Sequence, residues 1–220
     1  MPKETFDIIS DEKRERIYFA AAKVFARDGF EKANMREIAK IAVVSKGSLY
    51  DYFENKEDLY LSVSTHAISE SRKNIDSIID DKKDFFDQLK DIFHQGLKFV
   101  TKNREYTQLY ANMSSCGMED FARKLTLKVE KHTSDYYKEA LKKGVDDGTI
   151  RPDTDIKMAA FIINSLYVIL MISMVSEHYR IRLGEYLEIE DNAVEREIEN
   201  KIDNLVEIIR FSLENWGRKA

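Results

Sequence analysis

The chain is poor in the residues that interrupt helices: its 220 residues include only 8 Gly and 2 Pro. Sandwiches and barrels depend on many tight turns, and turns draw on those two residues, so an all-β architecture is excluded. Cysteine is almost absent. With Cys116 alone the chain closes no internal disulfide and builds none of the paired-thiolate zinc patterns, which fits a reducing compartment. Basic residues are not in excess either. The balance of 35 Lys and Arg against 40 Asp and Glu, a formal net charge of −5, excludes a protein that coats nucleic acid regardless of sequence. Also missing are a Gly-rich phosphate loop, an HExxH pair, a GxSxG elbow and any clustered His/Cys set. His66, His94, His132 and His178 are scattered, so neither an enzyme nor a metal or cofactor site is expected. The first ten residues, MPKETFDIIS, hold acids and no apolar run of signal-peptide length, and a cytoplasmic location is expected.

What is present is helical patterning. Ser10 with Asp11 and Glu12 forms an N-cap with acids in the first turn, and Ile17, Ala20, Ala21, Val24 and Phe25 follow at helical spacing until Gly29. Asn34 and Glu37 resemble a capping box ahead of Met35, Ile38, Ala39 and Ala42. Ser45 can cap a short helix, Lys46 to Phe53, with Leu49 and Phe53 on one side and Lys46, Gly47, Tyr50 and Glu54 on the other. Asn55 caps a fourth helix. Longer helices are expected over 56–80, 84–101, 103–115, 118–143, 155–178 and 193–216, with 179–192 a looser acidic connection. Residues 158–175 carry no formal charge and approach the length of a membrane span. Asn164, Ser165 and Ser173 dilute the run, so it is expected as a helix buried on most sides within a bundle, with no membrane partner.

The segment GFEKANMREIAKIAVVSKGSLYDYFENKEDL, Gly29 to Leu59, closely resembles the DNA-binding domain of the TetR/AcrR family of transcriptional regulators. The Gly-Phe turn, Arg36-Glu37-Ile38-Ala39, the Ser-Lys-Gly start of the recognition helix, Leu-Tyr-x-Tyr-Phe and the following Lys-Glu stand in family order. The resemblance implies an all-α protein of about nine to ten helices. A three-helix helix-turn-helix domain over residues 1–55 would be followed by a helical effector-binding and dimerisation domain over 56–220. It also implies that Arg36 contacts a base or phosphate and that Lys56 grips a phosphate.

The residues make physical sense beside the name. A recognition helix brings small and polar residues at its N-terminus to base edges in the major groove. Ser45, Lys46, Gly47 and Ser48 suit that start, and Tyr50 and Tyr52 offer hydroxyls to the DNA backbone. Two departures from the family pattern stand out. Val43 occupies the turn position where relatives usually carry glycine, and a β-branched residue is costly there if φ is positive. Asp51, on or near the DNA side, repels phosphate unless it accepts from cytosine N4. Residues 1–60 hold 11 Lys and Arg against 12 Asp and Glu, so binding must rest on local placement.

For the remainder, the resemblance implies a homodimer, a double-stranded operator and a small-molecule effector. Phe93, Leu97, Tyr106, Tyr110, Met113, Cys116, Phe121, Tyr136, Tyr137, Asn164, Tyr167 and Met171 supply apolar and aromatic walls with a few polar handles, suited to a largely apolar or aromatic effector. Phe161, Ile162, Ser165 and Ile169, with Ile198, Ile202, Leu205 and Ile209, are the expected dimer face. The expected mechanism is a repressor released from a near-palindromic operator by its effector. A TetR-type activator or ligand-independent regulator is the alternative, and an enzyme or membrane-anchored protein a remote one.

Overall fold

A computed structural model describes residues 2–113, 119–190 and 193–214. Eleven helices occur among the described residues: α1 (Glu4–Asp7), α2 (Asp11–Lys32), α3 (Met35–Ile41), α4 (Lys46–Tyr52), α5 (Lys56–Asp76), α6 (Phe85–Lys102), α7 (Arg104–Asn112), α8 (Glu119–Asp146), α9 (Ile156–Ser173), α10 (Glu177–Leu187) and α11 (Val194–Leu213). The architecture is all-α; the one extended pairing among the described residues is an isolated bridge between Ile150 and Glu214.

The helix starts follow their caps. Ser10 Oγ accepts from the Lys13 amide at 3.3 Å, Asn34 Oδ1 from Arg36 at 2.8 Å, Ser45 Oγ from Ser48 at 2.9 Å and Asn55 Oδ1 from Asp58 at 2.9 Å. Each takes one of the donors a helix start leaves without a partner. Glu37 does not complete the capping box, because its carboxylate takes the Arg27 guanidinium at 2.9 Å instead. Asp84 and Asp155 cap α6 and α9 in the same way.

The chain divides into two compact units, Met1–Ser71 with Asn103–Leu125, and Arg72–Lys102 with Thr126–Ala220. In the first, α2 packs against α3 and α7, α3 against α4, and α1 against α4. Its core gathers Phe6, Ile17, Phe25, Ile38, Leu49, Phe53, Leu59 and Leu109. In the second, α6 packs against α9 and α11, and α10 against both of those helices. Phe86, Phe93, Tyr137, Ile163, Ile198 and Ile202 are among its buried residues.

Three expectations are corrected. Residues 179–192 are not a loose connection, since most of them lie in α10, and the count exceeds nine to ten because α10 and the four-residue α1 are added. The first helix is interrupted at Gly29 as expected, where φ 71° and ψ 172° are non-helical, and a short helical segment follows the kink to Lys32. The apolar α9 is long and apolar enough to cross a membrane, yet only 28% of it is buried, so within one chain it is not enclosed on most sides.

Candidate nucleic-acid interface

Seven residues are too few for a helix to persist alone in water, so α4 must be held by what surrounds it. Its inner face is Leu49, Tyr52 and the following Phe53, all buried. Leu49 and Tyr52 are three apart and therefore share a side of the helix. This corrects the expectation for Tyr52. Its ring lies 5.7 Å from that of Phe6, and its hydroxyl accepts from Lys13 Nζ at 2.8 Å, so it belongs to the packed side. Outward, α4 shows Lys46, Gly47, Tyr50 and Asp51, while Ser48 is half-buried. The Lys46 ammonium sits 5.5 Å from the centre of the Tyr50 ring, a spacing at which the cation is attracted to the ring face. Ser45 Oγ lies 2.9 Å from Ser48 Oγ, which ties the cap to the first turn.

Gly47 sits in the exposed first turn. A Cβ built there meets nothing nearer than Ser45 Oγ at 3.5 Å, an ordinary contact. The fold itself has no steric need for glycine at this position, although glycine costs about 1 kcal/mol of helix propensity against alanine.

The turn before α4 keeps the left-handed conformation despite its residue. Val43 has φ 57° and is 76% exposed, and the turn is closed by the Val43 amide on Lys40 O and the Val44 amide on Ala39 O. A valine is strained there and packs against little in return.

Of the two flanking cations, Arg36 is exposed at the start of α3. Lys56 is engaged by its own chain: Nζ donates to Glu31 O at 2.9 Å and lies 4.7 Å from the centre of the Phe30 ring. It thereby caps the C-terminal end of α2, where a cation is favoured. Sequence reasoning missed Lys3, Thr5 and Phe6, which meet the far end of α4. Nothing periodic marks them.

The expected effector walls divide between the two units. Tyr106, Tyr110 and Met113 are in the first, where Tyr106 packs on the core and burial pushes its hydroxyl pKa up to about 12. Phe93, Leu97, Tyr137, Tyr167 and Met171 gather in the core of the second, with the Phe93 and Tyr167 rings edge to face at 5.4 Å. Burial raises the pKa of both Tyr137 and Tyr167 well above the ordinary tyrosine value. Tyr136 is partly buried beside them, and burial pushes it up to about 12. Asn164 Nδ2 donates to Glu130 Oε2 at 3.3 Å. Cys116 and the Phe121 side chain lie outside the described residues.

The expected dimer face is half corrected. Phe161, Ile162 and Ile169 on α9 are exposed at 68%, 49% and 39%, and Ser165 is half-buried. On α11, however, Ile198, Ile202 and Ile209 are at most 5% exposed because they face their own unit's core beside α6. Leu205 is partly buried against the same core. The apolar residues that α11 turns outward are Ile208 and Phe211, at 68% and 71%.

Comparison with known proteins agrees with the geometry of α3 and α4. Residues 17–63 match the family described as "Bacterial regulatory proteins, tetR family". A Bacillus subtilis relative named as the uncharacterised HTH-type transcriptional regulator YhgD is 25% identical over 170 residues, 77% of this chain and 88% of its own. Among solved structures, a TetR family transcriptional regulator from Chloroflexus aurantiacus superposes with TM-score 0.68 at 23% identity, over 98% of this chain and 99% of its own. The Bacillus subtilis regulator FadR, solved in complex with stearoyl-CoA, superposes with TM-score 0.66 at 18% identity, over 86% and 96%.

Proposed function

Because this chain belongs to the TetR family of transcriptional regulators, we propose that it is a homodimeric cytoplasmic repressor. It would be released from a near-palindromic operator by a small, largely apolar effector. The observation that carries the DNA-reading half is Gly47. It occupies the exposed first turn of α4, where a Cβ would meet only Ser45 Oγ at an ordinary 3.5 Å, at a cost to the helix, and glycine there admits a nucleic-acid backbone or base edge that a side chain would hold off. Lys46 on α4 and Arg36 on α3 are both exposed, as cations for base edge or phosphate must be. A dimer is supported by the exposed Met158, Phe161, Ile162 and Ile169 of α9, an apolar face of the kind that a second copy covers. Two copies would set their recognition helices one helical turn, or a multiple, apart on the duplex.

The DNA-reading role is assigned to residues 1–55, and effector binding and dimerisation to 56–220. The buried aromatic set around Tyr167 supports an apolar effector class, as does the stearoyl-CoA held by the Bacillus subtilis neighbour of the same fold. Effector binding would be coupled to the DNA-reading helices through α5, and a coupling of about 1–3 kcal/mol is enough for release.

The test is fluorescence anisotropy with a duplex enriched by the protein itself from a randomised pool, alongside light scattering for mass. The Gly47→Ala variant is expected to be more stable by up to about 1 kcal/mol and yet to bind that duplex more weakly. A monomeric mass, or a pool that yields no preferred duplex, refutes the reading.

A further inference from the structure

The last four carbonyls of a helix have no partner within it and must be satisfied from outside. In α4 the accounting is complete. Leu49 O takes the Phe53 amide at 2.8 Å, Tyr50 O takes Lys3 Nζ at 2.7 Å, Asp51 O takes Thr5 Oγ1 at 2.5 Å and Tyr52 O takes the Lys3 amide at 2.9 Å. Three of the four come from two residues at the N-terminal end of the chain. The Lys3 ammonium also lies at the negative end of the helix dipole. This attachment is anchored by its own aromatic plug: Phe6 is 1% exposed, with ring centres 4.7 Å from Phe53, 5.2 Å from Tyr18 and 5.7 Å from Tyr52. Behind it, Arg14 Nη2 donates to Asp7 O at 2.9 Å and to Ile9 O at 3.3 Å, closing the arm onto α2.

We propose that Lys3 and Thr5 are positioning residues for DNA recognition: the N-terminal arm locks the C-terminal end of α4 and thereby sets the angle at which Lys46 and Gly47 meet the duplex. This rests on the reading of α4 as the recognition helix. The two ends of α4 are then fixed by different parts of the sequence, Ser45 locally and the arm from 46 to 49 residues away. An arm of this kind touches no base, so its effect falls on discrimination between sequences. Attraction to phosphate, which needs only charge near the backbone, survives its loss.

Lys3→Pro is a clean perturbation. Lys3 already has φ −75° and ψ 156°, which proline accepts, so the change removes both donors and keeps the backbone conformation of residue 3. Combined with Thr5→Val it deletes all three contacts and leaves Phe6 in place. The affinity of this double variant and of Lys3→Arg is measured by anisotropy on the duplex enriched from a randomised pool by the wild-type protein, and on a scrambled duplex of equal length. The double variant is expected to bind the enriched duplex about tenfold more weakly, the scale of one or two lost exposed hydrogen bonds. Its affinity for the scrambled duplex should stay within a factor of about two. Lys3→Arg, which keeps cation and amide, is expected to retain the wild-type ratio. An unchanged ratio in the double variant, or an equal loss in Lys3→Arg, overturns the proposal. A wild-type protein that enriches no duplex sinks the recognition-helix reading instead.

Discussion

Replacing Val43 by glycine should stabilise the protein. At φ 57° an L-residue pays about 1–2 kcal/mol for its Cβ, and a β-branched residue stands at the upper end of that range. Little is lost by removing the side chain, because at 76% exposure its burial is worth a few tenths of a kcal/mol, roughly a quarter of a fully buried valine. The opposing term is the greater freedom of glycine in the unfolded chain, about 0.5–1 kcal/mol. The balance is a gain of about 0.5–1 kcal/mol for Val43→Gly. Val43→Ala removes the branch but keeps the Cβ, and so should recover only a small part of it. Val43→Asn, whose side chain tolerates the left-handed region, should fall between the two. Equilibrium urea unfolding would give the order, and native-state hydrogen exchange of the α3 and α4 amides would assign the change to the first unit. A glycine variant no more stable than alanine, or less stable than wild type, would refute the strain argument.

Three further outcomes are expected. Lys46→Met should weaken binding to the enriched duplex and lower the slope of log affinity against log salt by about one if the ammonium meets a phosphate; an unchanged slope places Lys46 elsewhere. Gly96→Ala should destabilise the second unit by about 1–3 kcal/mol in urea unfolding. The new Cβ would come within 2.5 Å of Tyr167 Cε2 and 2.8 Å of Cζ, and Tyr167→Phe should return little of the loss because ring carbons clash as well as the hydroxyl. Finally, burial raises the Tyr137 pKa in the folded state, so its contribution is fully present below the unfolded value of about 10 and is lost as pH rises beyond it. Urea midpoints at about pH 8 and about pH 11 should therefore differ less in Tyr137→Phe than in wild type.

Local chemistry made half of this structure legible. Ser10, Asn34, Ser45 and Asn55 announce their helices because a cap acts over two or three residues, and the turn conformation at Val43 could be questioned from one residue. Helix α10 had no such signal: Ser176 makes no side-chain cap, and the helix ends on Glu188 in the left-handed region where glycine would have marked it. The stripe on α11 was apolar as read, but periodicity reports only that something covers a face. Ile198, Ile202 and Ile209 are covered by their own unit, whereas Ile208 and Phe211 stay mostly exposed. The expected effector walls meet the same obstacle, since buried core and ligand cavity draw on one vocabulary of Phe, Leu, Met and Tyr.

The recognition helix shows where that line falls. Its start is local, written in Ser45 and Ser48. Its inner face is a spacing rule, Leu49 to Tyr52, which places Tyr52 on the packed side even though its residue type suits DNA. Its far end is neither, because the carbonyls of Tyr50, Asp51 and Tyr52 are met by Lys3 and Thr5, residues that no period or motif joins to them. A helix of seven residues cannot supply its own stability, so the orientation of Lys46 and Gly47 depends on all three supports at once. Substitutions at the arm and at the cap should for that reason be non-additive in duplex affinity, since each acts on the same rigid body.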